Sequence, residues 1–434
     1  MFREDRMVRL LQVEFLESRG WQTRRSNVVI GTETLACVAK RFGTPLYLYD
    51  GSIILDRIAK IKRAFAEFDI LYSIKANPNP AIVDILLGSG LGAGVSSYDE
   101  LMLVLRLGCP PETVVLGGPG HRLETLEAAV DARVGMINVE SKTELTALEE
   151  IAGPRRRDIP VALRINTTHR PRDAREFMAG GPSQFGMDEE SIVEELRGLK
   201  LNHVRYEGIH TFVASQVLDR ESLIRHFGRV ADISKQLAGE LDFPLKVVNF
   251  GGGFGLPYSP DAPVLDIQIL GQRVTHALRH AFSGGIDTPR FAVEVGRYLV
   301  GECGVFLTEI LDVKRSRGHN YVVLDSGISG LSRPAMPWAQ EHPSTIVSKV
   351  AKEPTGTYDL VGPTCMPSDA LGEGVALADP QPGDIVGIFN AGAYGYTMSM
   401  LLWASHPLPA EVLFHNGAFT VIRKRLRASD CLAL

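Results

Sequence analysis

The chain has 434 residues, and 45% of them are hydrophobic, which is enough apolar surface to bury more than one core. Its 46 basic and 51 acidic residues leave a net charge of −5, which argues against a nucleic-acid-binding protein. No apolar run approaches the length of a membrane span, and the five scattered cysteines form no Cys-x-x-Cys pair. We therefore expect a cytoplasmic, two-domain protein with no metal site, no nucleic-acid partner and no membrane partner.

From about residue 44 to about residue 300, β-rich runs alternate with amphipathic helical patterns, as in βα units around a parallel sheet. So many repeats over roughly 250 residues favour a (β/α)8 TIM barrel over an open sheet. The clearest predicted strands are 114–116, 135–139, 161–165, 206–210, 246–250 and 290–294. The clearest predicted helices are 52–67, 97–107, 141–151 and 221–238.

After about residue 301 the pattern changes to strands separated by Gly/Pro turns, which predicts an antiparallel β-sandwich or β-barrel domain. The predicted strands there are 305–314, 320–324, 358–361, 384–389, 410–413 and 418–423. Residues 27–30 are also strand-like, and we expect them to join this C-terminal sheet. The predicted organisation is an N-terminal segment (1–43), an α/β barrel (44–300) and an all-β domain (301–434).

Lys75 ends an apolar, strand-like run, just before the chain breaks at two prolines. An ammonium there is either an ordinary surface group, which is the commoner case, or a nucleophile. A partly buried lysine loses charge, because burial disfavours the ammonium, and its neutral amine can form a Schiff base with an aldehyde. The aldehyde most often used in this way is pyridoxal phosphate.

Three further groups lie at predicted strand ends, where the reactive groups of a parallel barrel gather. A glycine run at 251–253 could bind a phosphate through backbone N–H groups, or simply form a tight turn. Glu294 could keep a pyridine nitrogen protonated, and Arg297 could bind a phosphate or a carboxylate. His210 by itself is equally consistent with a buried core histidine. The loop 179–186 either lines a ligand or is a plain connector.

These residues resemble the fold-type III pyridoxal-phosphate decarboxylases, the group of ornithine, arginine and diaminopimelate decarboxylases, whose barrel is related to that of alanine racemase. Residues 72–77 match the Schiff-base lysine motif of that family. The resemblance implies pyridoxal 5'-phosphate (PLP) as the cofactor. The resemblance also implies which residues contact the cofactor. Lys75 is the Schiff-base lysine, His210 stacks on the ring, and Ser215 binds the phosphate with Gly251, Gly252 and Gly253. Glu294 and Arg297 match the family's Glu-Pro-Gly-Arg element.

In the second domain, the residues around Cys365 and Asp369 resemble the segment that family members present from a neighbouring subunit. The resemblance thus implies a homodimer with shared active sites. Cys365 would reprotonate the substrate α-carbon after CO2 leaves, and Tyr394 would reach the phosphate. Without the resemblance, Cys365 would be interpreted as a buried apolar thiol.

The match has three departures. Val295 replaces the family's proline, and Gly94 stands where many members carry an acidic residue. Met366 follows Cys365 where diamino-acid decarboxylases place an acidic residue to hold the substrate's distal ammonium. Because a buried cation without a partner is costly, we expect that a free distal amine is disfavoured.

Two sets of residues point to different substrates. Residues 183–189, 365–369 and 392–395 resemble a biosynthetic-cluster branch of the family, one member of which decarboxylates glutamyl groups tethered to an acyl carrier protein. Arg333 with Trp338 instead resembles the distal-carboxylate clamp of diaminopimelate decarboxylases. We predict a PLP-dependent L-amino-acid α-decarboxylase, with Arg333, Met366 and Asp369 at the substrate, which is either free or carrier-linked. The alternatives are a PLP-dependent racemase and a non-catalytic PLP-binding regulatory protein.

Overall fold

The structure is a computed structural model, and it describes residues 12–169, 176–283, 288–336 and 342–432. The chain divides into two compact units, which we call the barrel unit and the β unit. The barrel unit comprises Arg57–Leu256 and Pro263–Tyr298. The β unit comprises the residues up to Asp56, Pro257–Ala262 and the residues from Leu299 onward.

The barrel unit contains eight parallel strands that close on themselves, which confirms the predicted TIM barrel. Each strand pairs with the next in chain order, and the eighth pairs with the first. The strands are β1 (Phe68–Ser73), β2 (Gly92–Val95), β3 (Val114–Gly117), β4 (Met136–Val139), β5 (Ile159–Asn166), β6 (Val204–His210), β7 (Val247–Asn249) and β8 (Arg290–Val295).

Helices connect these strands, and capping side chains define where several of them begin. Ser97, Ser141 and Asp219 each accept a hydrogen bond from the backbone N–H three residues on. The helices are Gly51–Ala64, which crosses the unit boundary, Pro80–Gly88, Tyr98–Arg106, Leu123–Ala132, Lys142–Arg155, Ile192–Leu196, Arg220–Glu240, Ile267–Ala281 and the short Arg297–Val300.

An aromatic cluster packs the helices against the barrel strands. The ring of Phe227 is stacked 4.6 Å from that of Phe250, and the ring of Phe68 lies 5.1 Å from that of Phe65. These side chains are nearly or fully buried. Because each large ring removes much apolar area from water, the cluster is a main source of barrel stability.

The β unit contains a small three-stranded sheet and a larger mixed sheet. The small sheet is antiparallel, with strands Gln22–Arg24, Asn27–Ile30 and Glu33–Thr34, and it is followed by the helix Leu35–Phe42. The larger sheet has strands Leu46–Asp50, Gly304–Ser316, His319–Leu324, Ser344–Ile346, Gly356–Val361, Ala370–Leu377, Ile385–Phe389, Ala410–His415 and Ala418–Arg423. The last helix is Ala428–Leu432.

The β unit differs from the sequence prediction in three respects. Two strand pairs are parallel, namely Leu46–Asp50 with Ala410–His415 and His319–Leu324 with Gly356–Val361. Asn27–Ile30 pairs within the small sheet, although the backbone N–H of Val28 donates to the carbonyl of Val347. The unit boundary lies at residue 56, because Leu46–Asp50 pairs with Gly304–Ser316 and belongs to the β unit.

The strand Leu46–Asp50 is buried at every position, so it lacks the alternation that marks a half-exposed strand. Among the described residues, no helix is both long and apolar enough to cross a membrane.

A half-buried carboxylate, Glu149, joins the helix Lys142–Arg155 to the start of β6. The Glu149 carboxylate accepts backbone hydrogen bonds from Asn202, His203 and Val204 at 2.9–3.0 Å. Burial acts to raise the pKa of Glu149, but these hydrogen bonds outweigh it and lower the pKa from 4.5 to about 2. Folding is therefore stabilised above pH 4.5, and this contribution is lost as the pH falls towards 2.

We predict that Glu149→Gln lowers the free energy of unfolding at pH 7 by about 2 kcal/mol, because charge-assisted hydrogen bonds are lost. Urea denaturation at pH 7 and at decreasing pH measures this. The gap between wild type and variant should narrow below pH 4.5, where the wild-type side chain becomes protonated on unfolding. A gap that is independent of pH would contradict this account of Glu149.

Candidate active site

A cavity of about 260 Å³ lies at the C-terminal ends of the barrel strands. It is lined by residues from most of the strands and by residues of the loop that follows β5. The polar side chains that face it are Ser73, Lys75, Asn138, Arg164, His210 and Glu294. The structure therefore brings three of the predicted site residues, which are far apart in sequence, into one cavity.

Lys75 lies in a single 3₁₀ turn, Ile74–Ala76, that directly follows β1. The hydroxyl of Tyr72 donates to the carbonyl of Asn77 at 2.9 Å, and this fixes the turn. The Lys75 side chain is exposed in this chain, which differs from the partial burial predicted. Its Nζ lies 5.4 Å from the ring centroid of Phe212 in the cavity wall. The amine is thus accessible to a molecule that enters the cavity.

His210 ends β6 and is almost fully buried, with its Nε2 3.4 Å from Glu294 Oε1. Burial lowers the pKa of His210 to about 3, assisted by the nearby positive charges of Arg164 and Lys75, while Glu294 opposes the shift. The imidazole is therefore neutral at pH 7. A neutral, flat ring in the cavity wall suits stacking against an aromatic ligand.

Glu294 lies in β8 and stays ionised. Burial acts to raise the pKa of Glu294, but His210, Lys75 and a hydrogen bond from Asn249 together lower it below the ordinary value. Asn249 Nδ2 donates to Glu294 Oε1 at 2.9 Å, and Asn138 Nδ2 lies 3.5 Å from the same oxygen. The result is a fixed carboxylate that can hold a proton on a basic ring nitrogen.

Sequence reasoning missed Arg164, Asn138 and Asn249. Each lies one residue before the end of a predicted strand (161–165, 135–139 and 246–250), so none had the strand-end position that marked the other site residues, although Asn249 is the last residue of β7 in the structure. A usable signal was present for Arg164, since a charged residue inside an apolar strand is rarely buried without a partner. Gly94 also lines the cavity, and a Cβ at that position would lie 3.8 Å from a Glu294 carboxylate oxygen.

The glycine run 251–253 follows β7, and its backbone has no room for side chains. A Cβ at Gly252 would lie 2.1 Å from the carbonyl oxygen of Glu294, and one at Gly253 would lie 2.5 Å from that of Ala214. Val217 N–H donates to the Gly253 carbonyl at 2.8 Å, which joins this loop to the segment carrying Ser215. Arg297 is buried in the short helix after β8.

The barrel unit fits PLP. His210 Nδ1, Thr211 Oγ1 and Asn138 Oδ1 are buried atoms without a hydrogen-bond partner among the described residues. These atoms are available to a bound molecule. In addition, the accessible lysine suits an aldehyde, the ionised carboxylate suits a pyridine nitrogen, and the glycine loop suits a phosphate. When bound, PLP supplies a protonated ring that accepts electrons from the substrate α-carbon. No group of three or more His, Cys, Asp or Glu side chains in the described ranges could hold a metal ion.

The remaining predicted site residues lie in the β unit. The Cys365 thiol is exposed in this chain, and Met366 is half-buried beside it. Asp369 is buried, and its Oδ1 and Oδ2 accept the backbone N–H groups of Ile328 and Thr364 at 2.7 and 2.9 Å. These contacts give Asp369 a structural role in shaping the Cys365 loop, and its predicted contact with the substrate stays a prediction.

Tyr394 is half-buried and has a φ of +56°, a conformation that only a tightly constrained loop imposes on a tyrosine. Arg333 begins a 3₁₀ turn, Arg333–Ala335. Its side chain and the whole of Trp338 lie outside the described part of the structure. The predicted distal-carboxylate clamp therefore stays a prediction.

We predict that Gly252→Ala weakens PLP binding by at least about tenfold, because the added methyl group would displace the backbone of Glu294. Titration of the apoprotein with PLP, followed by visible absorbance, measures the change. Gly228→Ala is the matched control, since a Cβ at this glycine of helix Arg220–Glu240 meets nothing within 4 Å. Equal affinities for all three proteins would contradict the assignment of the phosphate loop.

Comparison with known proteins gives the same picture. Residues 52–301 match the family model described as pyridoxal-dependent decarboxylase, pyridoxal binding domain. The chain is 31% identical over 411 residues to the L-glutamyl-(BtrI acyl-carrier protein) decarboxylase of Niallia circulans, covering 92% of this chain and 95% of the relative. It is 32% identical to the diaminopimelate decarboxylase of Aquifex aeolicus, with 93% and 94% covered.

The crystal structure of diaminopimelate decarboxylase from M. jannaschii in complex with L-lysine has 27% sequence identity to the chain and superposes with a TM-score of 0.88, covering 95% of this chain and 96% of that one. The family match spans more than half of the chain and includes Lys75, His210, the glycine loop and Glu294. The chain belongs to the pyridoxal-dependent decarboxylases, and its cofactor is pyridoxal 5'-phosphate.

Proposed function

We propose that the protein removes the α-carboxylate of an L-amino acid whose distal end carries no free ammonium, in amino-acid or secondary-metabolite biosynthesis in the cytoplasm. The observation that carries the proposal is the single cavity in which Lys75, His210 and Glu294 meet. An amine, a neutral flat ring and an ionised carboxylate are three groups that suit PLP chemistry at an α-carbon.

Each residue then has a separate task. The Lys75 amine would hold the cofactor through its aldehyde and would be released when the substrate amine takes its place. Glu294 would hold a proton on the ring nitrogen, and the protonated ring would supply a sink for the electrons freed by the loss of CO2. His210 lies against the ring, while Ser215, the glycine loop and Arg297 bind the phosphate.

The β unit contributes the second half of the proposal, which rests on the family resemblance. We assign Cys365 as the acid that returns a proton to the α-carbon, and we assign Tyr394 to the phosphate. In this assignment the protein is a homodimer, and the Cys365 loop of one subunit completes the site of the other. The exposed thiol of Cys365 in the single chain agrees with a role that a second subunit would cover.

Two observations support the choice of substrate class. Met366 is next to Cys365 and offers no charge to a distal ammonium, which would be costly to bury without a partner. One relative acts on a glutamyl group held on an acyl carrier protein, in which the distal end is not an amine. We therefore favour a carboxylate-ended or carrier-linked amino acid over a diamino acid.

We predict that Lys75→Ala abolishes the visible absorbance of the bound cofactor and lowers CO2 release on the order of 1,000-fold or more, because no other amine replaces the nucleophile. Absorbance spectra and a CO2-release assay measure both effects. Lys142→Ala, at an exposed lysine outside the cavity, is the control and should match the wild type. A normal cofactor spectrum in Lys75→Ala would rule out this lysine.

We predict that the enzyme releases CO2 faster from carboxylate-ended amino acids, free or attached to a carrier protein, than from lysine or ornithine. A panel of free amino acids and aminoacyl carrier proteins at equal concentration tests this. The release of CO2 distinguishes the enzyme from a racemase, which would invert the α-carbon and give no gas. A preference for free diamino acids would overturn the substrate class and leave the decarboxylase assignment intact.

A further inference from the structure

One wall of the active-site cavity is a loop, residues 178–186, which we call the cavity loop. It begins after Glu176–Phe177, which pairs with Ala214–Ser215, and it ends at Met187–Asp188, which pairs with the end of β5. Met178 and Phe185, near its two ends, both line the cavity. The position of this loop therefore decides how open the cavity is to water.

Glu140, the residue directly after β4, touches both the cavity loop and a charge inside the cavity. Its Oε2 accepts the backbone N–H of Gly186 at 2.9 Å, and its Oε1 forms an ion pair with Arg164 Nη1. The side chains of Glu140 and Arg164 are only 5% and 8% exposed, so solvent screens this pair weakly. The Arg164 guanidinium also lies 4.8 Å from the ring centroid of Phe185.

The contact between Glu140 and Gly186 requires a glycine at position 186. Gly186 has a φ of +73°, and a Cβ there would lie 2.9 Å from the Arg164 carbonyl oxygen. The start of the loop has its own anchor, because Asn166 Oδ1 accepts the N–H of Gly180 at 3.1 Å. Glu140 holds the other end and also binds a side chain of the cavity.

Glu140 is itself fixed from behind. Its backbone N–H donates to Glu144 Oε2 at 2.9 Å, and Glu144 Oε1 lies 2.7 Å from His121 Nδ1. The carboxylate thus projects from a rigid strand end into two contacts that must form together. A charge at this position couples the closure of the loop to the placement of Arg164.

We propose that Glu140 is a positioning residue that holds the cavity loop closed and keeps the Arg164 guanidinium in the cavity. It does not touch the reacting atoms. Its effect is to limit access to the cavity from the side of the loop and to place a fixed cation beside Glu294 and His210. This proposal rests on the cavity being the cofactor site, but it is independent of the substrate class.

Hydrogen exchange of the holoenzyme tests the proposal without reference to activity. In Glu140→Gln, the peptide covering residues 178–186 should exchange about tenfold faster or more, because loss of the charge weakens both contacts at once. The matched control is Glu189→Gln, another largely buried carboxylate, which pairs with Arg229 and accepts the N–H of Thr168. This control should leave the exchange of the cavity loop within about twofold of the wild type.

A second measurement separates positioning from a general loss of stability. The rate at which hydroxylamine removes the visible absorbance of bound PLP reports access to the cofactor in the folded enzyme. It should rise about fivefold or more in Glu140→Gln, and it should not change in the control. If Glu140→Gln does not fold, Glu140→Asp keeps the charge on a shorter side chain and should show both effects in smaller degree.

The proposal fails if loop exchange and hydroxylamine access stay within about twofold of the wild type in the folded variant. It also fails if Glu189→Gln changes them equally. Loss of all cofactor binding in the wild type would instead refute the proposed function, so the two failures are distinguishable.

Discussion

The Glu294 carboxylate, kept ionised in a largely buried position, is the constraint on which the site depends. Burial by itself raises the pKa of Glu294 and so favours the neutral acid, which could not hold a proton on a ring nitrogen. Lys75, Arg164 and the amide of Asn249 offset that cost from three different strands or strand ends. The closed parallel barrel brings these groups to one rim, because all eight strands end on the same side and the sheet closes on itself. The fold is therefore what allows the charge to exist where the chemistry needs it.

The residues that sequence could predict share a position at a strand end. Lys75, His210 and Glu294 each close an apolar run, so hydrophobic periodicity predicted both their strands and their common rim. Arg164 and Asn249 escaped this reasoning because each lies inside its predicted strand (161–165 and 246–250), where inward-facing and outward-facing positions cannot be told apart without the register. The bond between Glu140 and the N–H of Gly186 joins residues 46 positions apart, and no sequence pattern predicts such a contact.

The β unit was harder to predict for a related reason. Leu46–Asp50 is buried on both faces and precedes a helix, so its sequence is that of a barrel strand, while its partners lie more than 250 residues away. Asp369 shows that the contacts of a single residue with distant parts of the chain are equally hard to predict from sequence. Its position after Cys365 suggested a ligand contact, but Gly327 and Gly362 leave room for the carboxylate against the backbone, where both oxygens are used. A buried carboxylate that accepts a backbone hydrogen bond on each oxygen stabilises its loop, a role that the sequence alone did not suggest.

The interior of the barrel explains why hydrogen bonds, and not packing, must hold Glu294. Below the rim, the chain places small residues at Gly92, Ala162 and Ala292, and a cavity of about 400 Å³ opens there from the other end of the barrel. TIM-barrel interiors are usually filled by bulky branched side chains. Asn249 lines this lower cavity and also donates to Glu294, while its Oδ1 accepts the N–H of Gly251. One amide thus fixes the carboxylate and the start of the glycine loop together, so the groups proposed for the ring nitrogen and for the phosphate share a single support.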